Sequence, residues 1–267
     1  MLRSRILTAL ALGLVLIAAI LYSSAVATAA ILGGILLVGA WEWSAFLAPT
    51  ALIWRVAYVL GIALLCALSW VFAADGPHFV LLMSGAVVWW LIALLWLVSA
   101  PQRVAGWAAA LAGVLALVPT WLALVRIDAL WLHGEQWTLF ILALVFAADT
   151  GAFFAGRHFG RVHLAPHISP NKTWEGVIGG MLLALAMAAL GMVWFRLPMW
   201  PFVFLCLAAA GFSVVGDLTE SMLKRHVGLK DSGRLFPGHG GVLDRMDSVS
   251  AATPVMTLGL IWLGVGV

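Results

Sequence analysis

Residues 104–125 read VAGWAAALAGVLALVPTWLALV, 22 positions without one ionisable side chain. As a helix rising 1.5 Å per residue this stretch covers about 33 Å, enough to cross a hydrocarbon core of roughly 30 Å. Runs of the same kind recur along the chain, at about 6–22, 25–41, 56–74, 79–99, 137–156, 174–195, 199–216 and 249–266. Composition agrees: 64% of the 267 residues are hydrophobic and 9% charged, where a soluble domain carries about a quarter charged. The alternating pattern of an outer-membrane barrel is absent. The expected fold is an all-α polytopic integral membrane protein with about nine transmembrane helices.

Counting Lys and Arg on alternate sides orients it. With the N-terminus cytoplasmic, Arg3, Arg5, Arg55, Arg103, Arg157, Arg161, Lys172, Lys224, Arg225, Lys230, Arg234 and Arg245 fall inside, and only Arg126 and Arg196 outside. Arg3 and Arg5 before an apolar run also fit a signal peptide, with Ala25-Val26-Ala27 as a cleavage site. Cleavage there would leave the next span no polar lead-in, so an uncleaved anchor is expected. Cys66 and Cys206 both fall in spans, as packing residues rather than a disulfide or metal pair. Trp41, Trp43, Trp137, Trp174 and Trp200 lie near span ends and read as an interfacial belt. The net charge of +3 suits anionic lipid headgroups, and no nucleic-acid module is present.

Polar residues divide the chain. Residues 1–130 hold five spans with short links and read as an N-terminal scaffold. Residues 131–267 hold four spans and the cytoplasmic loops 157–173 and 217–248, so chemistry is expected there. Asp217, Glu220, Ser221 and Lys224 fall at i, i+3, i+4 and i+7, one stripe of a continuing helix. Asp244 and Asp247 share a face at the start of the last span. Carboxylates beside a bilayer are costly unless paired or metal-bound, and two from separate helices can clamp a hard cation that also binds phosphates. Asp217 with Asp244 is the leading pair. Between them Pro237-Gly238-His239-Gly240-Gly241 breaks any helix, and its backbone N–H groups can converge on an anion, flanked by Lys230, His239 and Arg245. Asp149, inside the sixth span, and Lys172 with Thr173, at a loop-to-helix junction, form a third group. Glu42, between Trp41 and Trp43, reads as a water-accessible structural or headgroup contact. His158, His163 and His167 lack the acidic partner of a zinc site and read as surface residues.

Ser221-x-x-Lys224-Arg225, Lys230-Asp231, Pro237-x-His239-Gly240-Gly241 and Asp244-Arg245-x-Asp247 together resemble the signature of the phosphatidate cytidylyltransferases. Asp149-Thr150-Gly151-Ala152 and Ser169-Pro170-Asn171-Lys172-Thr173-Trp174-Glu175-Gly176 extend the resemblance over about 137–250. It implies transfer of CMP from CTP to phosphatidic acid, giving CDP-diacylglycerol and pyrophosphate, at the inner face of the cell membrane. Asp217, Asp244, Lys224 and Arg225 would be catalytic. Lys172, Ser169, Ser221, Lys230, Asp231, His239, Gly240, Gly241 and Arg245 would bind substrate. Mg²⁺ would sit on Asp217 and Asp244, with Asp149 and Asp247 as further ligands, and a second cation and a homodimer are also open. A cation-coupled transporter could place Asp149, Asp217 and Asp244 along a pathway, but has no need of a Gly-rich basic loop. A CTP-dependent enzyme acting on a polyprenol or another lipid phosphate would share the machinery.

Overall fold

The computed structural model of the chain describes residues 13–47, 51–101, 104–233 and 240–266. Its elements are α1 (Gly13–Tyr22), α2 (Ala25–Trp43), α3 (Leu52–Ala73), α4 (Gly76–Ser99), α5 (Gly106–Leu130), α6 (Gly134–Phe159), β1 (His163–Ala165), β2 (Ser169–Thr173), α7 (Trp174–Phe195), α8 (Met199–His226) and α9 (Leu243–Trp262). A short 3₁₀ turn, Ser44–Leu47, extends α2. Among the described residues seven helices, α2 to α8, are long and apolar enough to cross a membrane. Arg3 and Arg5, on which the anchor and part of the orientation rest, lie outside the described residues.

The axis of the bundle is α9, packed by α2, α4, α5, α6 and α8. Every residue from Asp247 to Leu258 is buried. Pro254 inside this helix has no N–H, which releases the carbonyl of Ser250 from its usual partner. The hydroxyl of Thr120 on α5 lies 3.0 Å from that carbonyl, and 2.7 Å from the Ala116 carbonyl in its own helix. A buried backbone acceptor is thus answered from a neighbouring helix. At the periphery α3 buries only Ile62 and Cys66, leaving the rest of its apolar surface for lipid.

The closest packing joins α6 to α7. A Cβ on Gly151 would stand 2.4 Å from the carbonyl oxygen of Gly179, and one on Gly179 would meet Ala155 Cβ at 2.2 Å. Small residues on both faces let the two backbones touch, the usual basis of helix association where lipid removes the hydrophobic drive. This seam fixes Asp149, on α6, beside the strand that leads into α7.

That strand belongs to a feature the apolar pattern did not anticipate. β1 and β2 form an antiparallel hairpin, with His163 opposite Thr173 and Ala165 opposite Ser169. Both carboxylate oxygens of Glu175 accept the Val162 N–H, at 3.2 Å each, so Glu175 fastens the start of the hairpin to α7. Thr173 caps α7 as its position suggests, its hydroxyl accepting from Gly176 N. Two of the supposed belt tryptophans are core residues: Trp43 is 2% and Trp137 4% exposed. Trp43 Nε1 donates to the Ala109 carbonyl at 2.8 Å, and Trp137 stacks on Phe195. His158, His163 and His167 are exposed, and Cys66 and Cys206 are buried thiols.

Candidate active site

α8 continues past Gly216 to His226, so its polar stripe forms as the spacing predicts. Ser221 Oγ donates to Asp217 Oδ1 at 3.4 Å, and Lys224 Nζ lies 3.0 Å from Glu220 Oε1. Around this stripe two ion-paired compartments assemble. In the first, Lys172 from β2 pairs with Asp217. Asp149 from α6 and Asp247 from α9 both feel the Asp217 charge, and Ser248 Oγ donates to Asp149 Oδ1 at 3.2 Å. Burial opposes the Lys172 charge, but the adjoining Asp217 carboxylate outweighs it and holds the lysine above its ordinary pKa. A crevice opens here, walled by Asp149, Lys172, Gly180, Met181 and Ser213.

The second compartment centres on Lys224, only 7% exposed, between Glu220 and Asp244; its Nζ is 2.5 Å from Asp244 Oδ1. The other oxygen of Asp244 accepts from Gly241 N at 2.7 Å, Ser232 Oγ at 2.9 Å and Ser232 N at 3.0 Å. Two backbone N–H groups, of Ser232 and Gly241, thus converge on an anion that is the chain's own Asp244, while 234–239 of the Gly-rich turn lie outside the described residues. Gly240 has φ 81°, and a Cβ there would come within 2.4 Å of Asp244 Oδ2, so both torsion and space demand glycine.

The remaining expected site residues take varied places. Arg225 donates through Nε to the Ile168 carbonyl at 3.4 Å and through Nη1 to the Leu229 carbonyl at 3.3 Å, tying the hairpin turn to the end of α8. Ser169 is half-buried on β2, and Lys230, Asp231 and Arg245 are exposed. The charge of Arg245 reaches Asp149. His239 lies outside the described residues.

A family model described as the cytidylyltransferase family matches residues 3–262. The chain belongs to the cytidylyltransferase family. Among relatives, the phosphatidate cytidylyltransferase of Pseudomonas aeruginosa is 38% identical over 98% of this chain and 97% of its own length. That of Haemophilus influenzae is 36% identical over 95% and 96%. That of Staphylococcus aureus is 44% identical over 48% of this chain and 50% of its own.

For a cytidylyltransferase the donor chemistry bears on a cation. Asp149, Asp217, Glu220, Asp244 and Asp247 face Lys172, Lys224 and Arg245, an excess of carboxylate at the end of an apolar bundle. Among the described residues no three His, Cys, Asp or Glu side chains gather closely enough to hold a metal by themselves. Hard oxygens offered singly or in pairs suit Mg²⁺, which is usually held by one or two carboxylates and completed by substrate phosphates. Asp217 and Asp244, expected to act together, each carry their own lysine. Ser232 was given no role by the sequence, and Glu42, read as a structural or headgroup contact, is a structural one. Glu42 is 5% exposed, not water-accessible, and its carboxylate sits in the loop that presents Asp244.

Proposed function

We propose that this chain is a phosphatidate cytidylyltransferase acting at the cytoplasmic face of the cell membrane. The observation that carries this reading is the pair of lysine–carboxylate contacts, Lys172 with Asp217 and Lys224 with Asp244, gathered from a hairpin and two helices at one end of a membrane bundle. Full-length similarity to two enzymes of that name supports it.

A phosphatidate oxygen attacks the α-phosphorus of CTP, the bond to the β-phosphate oxygen breaks, and pyrophosphate leaves with that electron pair. The attacking phosphate monoester is already ionised near neutral pH, so no general base is required. Positioning and charge supply most of the catalysis in such transfers. Lys172 and Lys224 hold carboxylates that substrate phosphate oxygens can replace, and Arg245 and Lys230 are exposed cations close in sequence to Asp244 and Ser232. Asp217 and Asp244 would offer carboxylates to Mg²⁺, and substrate phosphate oxygens rather than further side chains would complete its shell; when bound, it would neutralise phosphate charge. The lipid phosphate would reach this end of the bundle sideways, between helices.

The test uses detergent-purified protein, CTP labelled in the cytosine, phosphatidate and Mg²⁺. Label should enter the lipid phase with stoichiometric pyrophosphate, and Asp244→Asn should lower turnover by about 10²- to 10³-fold. Folded wild-type protein that transfers no label to phosphatidate would overturn the reading.

A further inference from the structure

Glu42 stands at the end of α2, some two hundred residues before the loop it enters, yet its carboxylate organises that loop. Oε1 accepts from Val242 N at 3.1 Å, and Oε2 accepts from Leu243 N at 2.8 Å and from Ser232 Oγ at 3.0 Å. These are the first free amides of α9, a helix without a side-chain cap of its own. The one proton of the Ser232 hydroxyl is shared with Asp244 Oδ2 at 2.9 Å, so this hydroxyl joins Glu42 to the carboxylate that holds Lys224.

The surroundings are shaped for this contact. A Cβ on Gly233 would lie 2.1 Å from Glu42 Oε1, and one on Gly241 would lie 2.3 Å from Oε2. Neither glycine has positive φ, so at these positions it is space for the carboxylate, not backbone freedom, that requires glycine. From the other side Glu42 is braced. Trp43 is bonded to α5, and Arg55 donates to Ser44 Oγ at 2.8 Å and to the Trp41 carbonyl at 2.9 Å.

We infer that Glu42 is a positioning residue for nucleotidyl transfer: from the N-terminal half of the chain it sets the turn into α9 and, through Ser232, the place of Asp244 against Lys224. This role rests on the cytidylyltransferase reading above.

The experiment uses the full chain in detergent, with thermal melting and a monodisperse profile as the fold check. Glu42→Gln should lower kcat about 10- to 100-fold with KM for phosphatidate nearly unchanged, because the loss is one of alignment. Gly233→Ala should fall likewise, and Glu42→Asp, drawn back by one methylene, should recover about tenfold of that loss in the double variant. A cap that served stability alone would lower the melting temperature and leave kcat of the folded fraction unchanged. That result, or a Gly233→Ala penalty equal in both backgrounds, overturns the proposal. If Glu42→Gln is not recovered folded, the Gly233 pair decides. If the wild type transfers no cytidylyl group, the functional reading fails. Amide exchange at Val242 and Leu243, faster in Glu42→Gln, then tests the hold on α9 without turnover, and unchanged exchange overturns it.

Discussion

At the scale of single residues the candidate site sets Lys172 and Lys224 each against a carboxylate, with further carboxylates in excess. Asp244 shows the density: four donors share its two oxygens, from Lys224, Gly241 and both the N–H and hydroxyl of Ser232. Lys172 is the simpler case, with Asp217 as its partner. Lys172→Met would leave that carboxylate with the long Ser221 contact, and turnover should drop about 10²-fold, since a charge-stabilising donor is lost. Initial rates at saturating CTP and phosphatidate would check this, and a rate within a factor of two of wild type would remove Lys172 from the site. Thr120 gives a prediction in stability alone. Thr120→Val leaves the Ser250 carbonyl, freed by Pro254, without its answer, at a cost of about 1–3 kcal/mol. A shift of the denaturation midpoint with kcat unchanged is the expected pattern.

At the scale of elements, the sequence was most legible where hydrophobicity runs long and least where contacts cross between distant segments. The α8 stripe followed from spacing because i, i+3 and i+4 neighbours are fixed by helix geometry alone. The β-hairpin did not, since β1 has three residues and its fastening by Glu175 depends on a tertiary approach to Val162 N. Trp43 and Trp137 looked interfacial because they sit near span ends; what buries them is packing against α5 and Phe195. The sequence singles out Asp244 for the candidate site, but nothing local marks Glu42 as its support. A lone carboxylate between two tryptophans was the available signal, and its partners lie in another part of the chain. The α6–α7 seam carries its own prediction. Gly179→Leu would drive a side chain into Ala155 and the Gly151 backbone, where neither can yield. Separation of the two helices should lower thermal stability by at least the 1–3 kcal/mol typical of overpacking and abolish turnover through the displaced Asp149. Full activity in that variant would show that the seam tolerates opening.

At the scale of the molecule the two ends of the bundle differ in kind. One end gathers Glu42, Lys172, Lys224 and Asp244. About 25 Å along α5 from Ala109, Arg126 lies over the Phe79 ring and 3.9 Å from Asp75. With Cys66 and Cys206 both replaced by Ala, a single cysteine at Lys230 should react only from the cytoplasmic side of inverted vesicles, and one at Arg196 only from the opposite side. Labelling of both from one side would refute the charge-derived orientation. The long reach of Glu42 also bears on biogenesis. A ribosome delivers α2 to the membrane long before it has translated Val242 and Leu243, so the carboxylate must wait at the lipid boundary for partners not yet made. The end of the bundle proposed for the chemistry can close only after α9 enters, so a nascent chain that stops short of Val242 leaves that end open.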